Sequence, residues 1–156
     1  MLIRKARLTD LDALVALENR SFRYNRMSRR SYAAALRNPR ALILLARGGR
    51  KEPLAGAVVV FFRADSPAAR LYSIAVSPQM RGHGLGRKLL RAAESAARAQ
   101  GASAMRLEVK VRNGAALALY RKSGYGLIGR IAHYYEDGSD AWRLEKPLIR
   151  NRTRAS

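Results

Sequence analysis

The chain alternates between short apolar blocks and longer segments in which apolar residues recur at helical spacing. Apolar blocks bounded by turn residues predict buried strands, whereas recurrence every three or four residues predicts amphipathic helices. The turn signals include Asn38-Pro39 and Asp65-Ser66-Pro67. Strands are predicted at residues 2–7, 41–47, 54–63, 71–76, 104–109, 125–131 and 141–146.

Helices are predicted between several of these strands. Thr9 and Ser28 are expected to cap the first two helices, because a hydroxyl before a helical run accepts a hydrogen bond from the first turn. Gly101 and Gly124 suit the left-handed residue that follows many helices. The predicted helices span residues 10–20, 29–37, 84–100 and 115–123.

The third predicted helix is the longest and has the clearest apolar stripe. Glu94 is expected to lie outside this stripe with the basic residues of the same helix. The stripe itself comprises Leu85, Leu89, Ala93 and Ala96. A helix of this kind is expected to pack one face against a sheet.

The order of elements predicts one α/β domain with a mixed central sheet flanked by helices. No internal repeat or linker divides the chain. We therefore expect a single domain over residues 1–148, followed by a basic tail at residues 149–156.

Composition narrows the class of protein. The 156 residues suit one domain with a real core, and 48% hydrophobic residues argue against disorder. The absence of cysteine excludes a disulfide framework, a thiolate metal site and a cysteine nucleophile. No apolar run approaches the length of a membrane span, and the first residues lack a signal-peptide pattern. A cytoplasmic protein without membrane association is expected.

The net charge is unusually high. Lys and Arg number 31 against 11 Asp and Glu, which gives a formal charge of +20. Such a charge attracts polyanions and repels polycations. One hypothesis is therefore that the protein binds a nucleic acid or a ribosome. The other is that its surface is basic without such a partner.

A glycine-rich loop lies between a predicted strand and the long helix, at Arg81-Gly82-His83-Gly84-Leu85-Gly86. Backbone N–H groups in such a loop, together with the positive end of the helix, bind phosphate groups. A dinucleotide fingerprint would need glycine where Arg87 stands, and the Gly-Lys-Ser/Thr of a nucleotide-triphosphate loop is absent. An ordinary turn with a helix cap is the alternative.

Three segments, in order, resemble the GNAT superfamily of N-acetyltransferases. Arg81-x-x-Gly84-x-Gly86 resembles its acetyl-coenzyme A diphosphate loop. Residues 107–109, 113–120 and 124–125 resemble the second half of that fold, and residues 133–141 resemble its substrate-side hairpin. The likeness is greatest to bacterial ribosomal-protein-alanine N-acetyltransferases and related N-terminal acetyltransferase catalytic subunits. It implies a central sheet that splays between two strands.

The resemblance implies acetyl-CoA as cofactor. Its pantetheine arm would pair with the backbone of Ile74 and Val76, as an added strand would. Asn113 would hydrogen-bond the same arm, although a simple helix N-cap is an equal alternative. His83 is expected to be a loop residue and not a catalyst, and no metal site is expected. The expected contacts of the diphosphate are Arg81, Gly82, His83, Gly84, Leu85, Gly86 and Arg87.

Two residues match the catalytic positions of the family. Glu108 corresponds to the general base; a solvent-facing residue paired with Arg106 or Lys110 is the alternative. Tyr120 corresponds to the general acid; aromatic packing is the alternative. Because a tyrosine pKa near 10 exceeds that of an alkyl thiol near 8.5, a hydrogen bond from Tyr120 to the leaving thiolate is the minimum role expected.

The resemblance places the acceptor near Phe22 and Tyr24, in the connector after the first helix, and near the substrate-side hairpin with Tyr134 and Tyr135. Aromatic packing within the hairpin is an equal alternative for Tyr134 and Tyr135. The predicted activity is direct transfer of an acetyl group from acetyl-CoA to a protein or peptide N-terminal α-amine. Acetylation of a lysine or a small-molecule amine is one alternative. A basic nucleic-acid-binding module with a vestigial acyl-CoA site is the other.

Overall fold

The computed structural model describes residues 1–49 and 52–148. The predicted tail at residues 149–156 lies outside the described residues. Within them the chain forms one seven-stranded sheet. Its strands are β1 (Leu2–Lys5), β2 (Ala41–Arg47), β3 (Leu54–Phe61), β4 (Ala68–Val76), β5 (Ala104–Lys110), β6 (Gly126–Ile131) and β7 (Ala141–Pro147).

Four α-helices of the described residues connect these strands: α1 (Leu11–Ser21), α2 (Arg29–Arg37), α3 (Leu85–Ala99) and α4 (Gly114–Lys122). As predicted, the Ser28 hydroxyl caps α2 by accepting a hydrogen bond from the Ser31 N–H at 3.1 Å. Gly101 and Gly124 also have the expected positive φ, of 90° and 98°.

The predicted Thr9 cap of α1 is wrong. Thr9 lies inside a short 3-10 turn, and α1 begins only at Leu11. Asp10 precedes α1, but its side chain caps no N–H group of that helix. Its carboxylate accepts the Arg7 N–H at 2.7 Å and pairs with Arg4 at 2.9 Å. The charged hydrogen bond of Arg4 lowers the pKa of Asp10.

The sheet has the strand order β1-β2-β3-β4-β5-β7-β6, and β4 and β5 are its one parallel pair. These two strands pair only from Ala68–Arg70 to Ala104–Arg106. Beyond that point β4 keeps its pairing with β3, and β5 keeps its pairing with β7. The two halves of the sheet therefore separate toward the carboxyl ends of β4 and β5, which confirms the predicted splayed α/β fold.

Apolar residues cover both faces of the sheet. Successive side chains of a strand point to opposite faces, and β3 supplies Val58 to one core and Val59 to the other. The α3 helix, with Leu89 and Leu90, covers the first face. The α1 and α2 helices cover the second. This double burial explains the uninterrupted apolar sequence of β3.

Glu94 corrects the sequence analysis, because it lies inside the protein and not with the exposed basic residues of α3. It is 3% exposed. Its carboxylate accepts the Tyr125 hydroxyl at 2.7 Å and the Lys146 ammonium at 2.9 Å. A buried carboxylate is tolerated when it is paired in this way. Burial and the bond to Glu94 both raise the pKa of Tyr125.

The contact between α3 and β3 depends on a glycine. A Cβ atom at Gly56 would lie 2.8 Å from Leu89 Cδ1, 2.9 Å from the Ala75 carbonyl oxygen and 3.2 Å from Leu85 Cδ2. Because one of these neighbours is a backbone atom, a rotamer change alone cannot relieve the clash that a Cβ at this position would make. Gly56 therefore fixes how closely α3, which carries the glycine-rich loop at its start, approaches the sheet.

We expect the substitution Gly56→Ala to lower the free energy of unfolding by about 1–3 kcal/mol, because it overpacks this contact. Chemical denaturation followed by circular dichroism measures the change. Gly129→Ala is the matched control, since Gly129 also lies in a strand and a Cβ there meets nothing within 4 Å. Equal stability of the two variants would contradict the account.

Candidate active site

The glycine-rich loop brings a set of backbone donors to the splayed end of the sheet. It follows β4 through a short 3-10 turn at Pro78–Met80, and α3 then begins at Leu85. Gly82 and Gly84 have φ values of 83° and 78°, a conformation that glycine adopts without strain. Among the described residues, the N–H groups from Gly82 to Arg87 have no acceptor. They are suited to bind an anion at the positive end of α3.

The side chains of this loop are engaged elsewhere. The Arg81 guanidinium donates to the Val76 carbonyl at 3.3 Å and to the Ser21 carbonyl at 2.9 Å. His83 Nδ1 lies 3.2 Å from the Met80 carbonyl and 3.1 Å from that of Arg81, inside the turn itself. The Leu85 side chain is buried in the core. His83 and Leu85 would therefore contact a diphosphate through their backbone, whereas Arg81 keeps further N–H donors and the Arg87 side chain is exposed.

The strand before the loop offers a free edge. Ile74 and Val76 pair with Val58 and Gly56 of β3. On its other side, β4 has no strand partner after Arg70 in the described chain. An extended ligand can add to such an edge by main-chain hydrogen bonds. The contacts predicted for Ile74 and Val76 stay predictions.

Asn113 caps α4. Its Oδ1 accepts the Ala116 N–H at 3.1 Å, so the N-cap alternative is realised. This bond leaves the Asn113 amide donors uncommitted among the described residues. The predicted contact with the cofactor arm stays a prediction.

Glu108 lies on β5 just beyond the last β4–β5 pair, and its side chain is only 7% exposed. One oxygen, Oε1, accepts from Arg70 at 3.0–3.1 Å, and Oε2 accepts from Arg143 Nε at 3.0 Å. The predicted alternative partners are wrong. Arg106 pairs with Glu145, and Lys110 pairs with Asp137.

Tyr134 connects the hairpin to this carboxylate. Its hydroxyl donates a hydrogen bond to Glu108 Oε1 at 3.3 Å and accepts one from Arg70 Nη2 at 2.6 Å. The Tyr135 ring packs edge-on against Tyr134, with ring centroids 4.9 Å apart. Burial, and then the charge of Glu108, raise the pKa of Tyr134. The structure thus joins two predicted acceptor residues to the predicted base, although 26 residues separate Tyr134 from Glu108.

Tyr120 is buried on α4, with 8% exposure, and its ring packs against Tyr125 at 5.8 Å. Its hydroxyl makes no hydrogen bond with any described residue. Burial is the main cause that raises the pKa of Tyr120, and the neighbouring Tyr135 adds to it. Tyr120 is therefore held as a neutral phenol, a form that donates a hydrogen bond.

The other two predicted acceptor residues lie in the connector after α1. Phe22 ends that helix and is partly buried against the core beneath α1 and α2. Tyr24 is 71% exposed. Within the described chain, the hydrogen bonds of Glu108 and Tyr134 and the ring contact of Tyr134 involve neither Phe22 nor Tyr24. Their role in acceptor binding stays a prediction.

The arrangement matches a known family over most of the chain. Residues 11–125 match the sequence profile of the acetyltransferase (GNAT) family. The chain belongs to this family. The resemblance that the sequence motifs indicated is confirmed, and this GNAT protein is an acetyl-CoA-dependent N-acetyltransferase.

Several relatives are similar along this GNAT chain. A protein of Bacillus subtilis (strain 168), named "putative ribosomal protein bS18-alanine N-acetyltransferase", is 33% identical over 141 residues, which are 89% of this chain and 90% of the relative. The N-alpha-acetyltransferase RimI of Mycobacterium tuberculosis is 39% identical over 77 residues, about half of each chain (49% and 47%). The crystal structure of the Escherichia coli ribosomal-protein-S18-alanine N-acetyltransferase superposes with a TM-score of 0.84 at 28% identity, covering 96% of this chain and 95% of the other.

Acetyl-CoA is the cosubstrate of GNAT enzymes, and the loop fits it. Six consecutive N–H groups without an acceptor in the described chain, with open space at Gly82 and Gly84, suit a diphosphate. In residues 1–49 and 52–148, no group of three or more metal-ligating side chains is placed to hold a metal. No helix in that same part of the chain has the length and apolarity to cross a membrane.

We expect Gly84→Ala to weaken coenzyme A binding about tenfold, because a Cβ at positive φ costs about 1–2 kcal/mol and re-aims the loop amides. Isothermal titration calorimetry measures the affinity. Gly101→Ala is the control at the other end of α3, since Gly101 has φ of 90° and equally open space. Both variants should lose stability, whereas an equal loss of coenzyme A affinity in both would disprove the loop's role.

Proposed function

We propose that this GNAT enzyme transfers the acetyl group of acetyl-CoA directly to the N-terminal α-amine of a protein or peptide. The convergence of Glu108 with Tyr134 and Tyr135 carries the proposal. It combines a buried carboxylate with aromatic walls at the open end of the sheet. An amine held between these tyrosines would lie within reach of a proton acceptor.

Bound acetyl-CoA supplies a thioester, whose carbonyl carbon is open to attack by an amine. The backbone from Gly82 to Arg87 would hold the diphosphate, and the free edge of β4 at Ile74 and Val76 would align the pantetheine arm. These contacts use backbone groups of fixed position. They would place the reacting end between β4 and β5, on the side where Glu108 lies.

Glu108 would accept the proton that the amine loses, either directly or through one water. A carboxylate has about four lone-pair sites. Arg70, Tyr134 and Arg143 use three of them, which leaves acceptor capacity on Oε2. The same donors hold the side chain in one orientation, which is what a general base requires.

An α-amine suits this base better than a lysine does. At pH 7 a neutral α-amine costs about 1 kcal/mol to form, whereas a neutral lysine costs about 4–5 kcal/mol. Because Glu108 already serves two arginines, a substrate that needs little help with deprotonation is favoured. The names of the relatives, which refer to alanine and α-amine acetylation, support the same acceptor class.

Tyr120 would stabilise the leaving group. Its hydroxyl is free among the described residues and stays protonated because its pKa is raised by burial. A neutral phenol can donate a hydrogen bond to the thiolate that departs from the acetyl group. Complete proton transfer is the less favourable course, since the site raises the tyrosine pKa further above that of a thiol. A cytoplasmic location, and ribosome association through the basic surface, belong to this proposal.

The acceptor class is tested with peptides that differ only at the α-amine. We expect coenzyme A release with a free N-terminal peptide and none with its N-formylated copy, even when both contain an internal lysine. Mass spectrometry locates the added acetyl group. Acetylation of the lysine side chain in the formylated peptide, at a rate equal to that of the free peptide, would overturn the proposed acceptor.

For the base, we expect Glu108→Gln to lower kcat by about 10²–10⁴-fold, because glutamine keeps the shape but accepts no proton. Coenzyme A affinity should change little, since no predicted cofactor contact involves Glu108. Glu136→Gln is the control, as Glu136 is an exposed hairpin carboxylate. Unchanged kcat in Glu108→Gln, with the fold verified by circular dichroism, would remove Glu108 from the mechanism.

A further inference from the structure

A cleft lined largely by arginines lies beside the glycine-rich loop. It has a volume of about 320 Å³ and lies between the end of α1, its connector and the loop residue Arg81. We name it the arginine cleft. Its lining includes Arg20, Ser21, Phe22, Arg23, Arg26 and Arg81.

The four arginines of the cleft have no acidic partner within the described chain. None of the ion pairs in residues 1–49 and 52–148 involves them. The nearby Glu18 is turned inward, where its carboxylate accepts from the Met27 N–H at 2.7 Å and the Tyr32 hydroxyl at 2.6 Å. The cleft therefore keeps its positive charge without an internal counter-ion.

Backbone carbonyls hold three of these guanidiniums in position. Arg20 donates to the Leu54 carbonyl, Arg26 to those of Phe22 and Asn19, and Arg81 to those of Val76 and Ser21. A guanidinium has five N–H donors. With two used, Arg26 and Arg81 each keep three for a ligand.

We propose that the arginine cleft binds an acidic side chain of the acceptor, close to its N-terminus, and so selects acidic acceptor chains. This inference rests on the proposed function. Arg81 belongs to both the cleft and the cofactor loop, and its bond to the Ser21 carbonyl joins them. Phe22, which the resemblance assigns to the acceptor pocket, also lines the cleft, so an acceptor bound there would have its first side chains beside these arginines.

The size and geometry of the cleft favour a carboxylate over a nucleic acid. About 320 Å³ accommodates one or two side chains, whereas single-stranded nucleic acids bind along grooves that follow several nucleotides. Guanidiniums in fixed orientations match the planar carboxylate with two parallel hydrogen bonds. The partly buried Phe22 supplies an apolar wall for the methylene groups of a glutamate.

The test compares a peptide beginning Ser-Glu-Glu with its isosteric copy beginning Ser-Gln-Gln. For the native enzyme, at physiological salt, we expect kcat/KM to be at least about tenfold higher for the acidic peptide, mostly through KM. In Arg23→Gln this preference should fall severalfold, because Arg23 lines the cleft and makes no hydrogen bond within the described chain. Arg30→Gln removes the same charge nearby but outside the cleft, and it should keep the preference.

Equal rates for the two peptides, or equal effects of Arg23→Gln and Arg30→Gln, would overturn the inference while leaving α-amine acetylation intact. Failure to acetylate either peptide would instead count against the proposed function. In that case the affinities of the two labelled peptides, measured by fluorescence anisotropy, still test the inference, since only binding in the cleft predicts an acidic preference that depends on Arg23. Unlabelled oligothymidine and unlabelled acidic peptide are compared as competitors of the labelled acidic peptide. If the oligothymidine competes more strongly, and if Arg23→Gln but not Arg30→Gln abolishes this difference, the cleft would be assigned to nucleic acid.

Discussion

The rest of this structure depends on the separation of β4 from β5, and Glu108 lies where the two strands begin to separate. Arg70 is the last residue of β4 to pair with β5, and its guanidinium reaches across to Glu108. Arg143, directly opposite Glu108 on β7, holds the same carboxylate from the other side. These ion pairs begin where the backbone pairing of β4 and β5 ends, and they place three charges at the proposed reaction site.

The same ion pairs create an energetic constraint. A buried carboxylate that loses one partner is destabilised, whereas a fully bonded one is tolerated. The ion pairs of Glu108 therefore contribute to the stability of the fold, in addition to its proposed chemistry. A similar arrangement recurs at Glu94, where Tyr125 and Lys146 satisfy a buried carboxylate with no proposed catalytic role. The same kind of pairing thus occurs in the packed core and at the proposed functional centre.

The sequence predicted most elements of the fold because apolar blocks and glycine positions are local signals. All seven strands and the second helix cap follow from such patterns. The partners of Glu108 were missed, because cross-strand register decides them: Arg106 and Lys110 are neighbours in sequence, but Arg143 is the neighbour in space. Glu94 was missed because helical spacing does not reveal a buried ion pair with a distant lysine. Thr9 was wrongly predicted as a cap because a 3-10 turn over Leu8–Asp10 moves the start of α1 to Leu11, and the Asp10 side chain holds that turn and binds Arg4 of β1.

The bond from Arg81 to the Ser21 carbonyl joins the connector after α1 to the loop before α3. If the acceptor binds at the connector and the cofactor at the loop, as proposed, a change in this hydrogen bond when one ligand binds would alter the affinity for the other. Such a coupling is reciprocal: the factor by which bound acetyl-CoA changes the affinity for the acceptor equals the factor by which bound acceptor changes the affinity for acetyl-CoA.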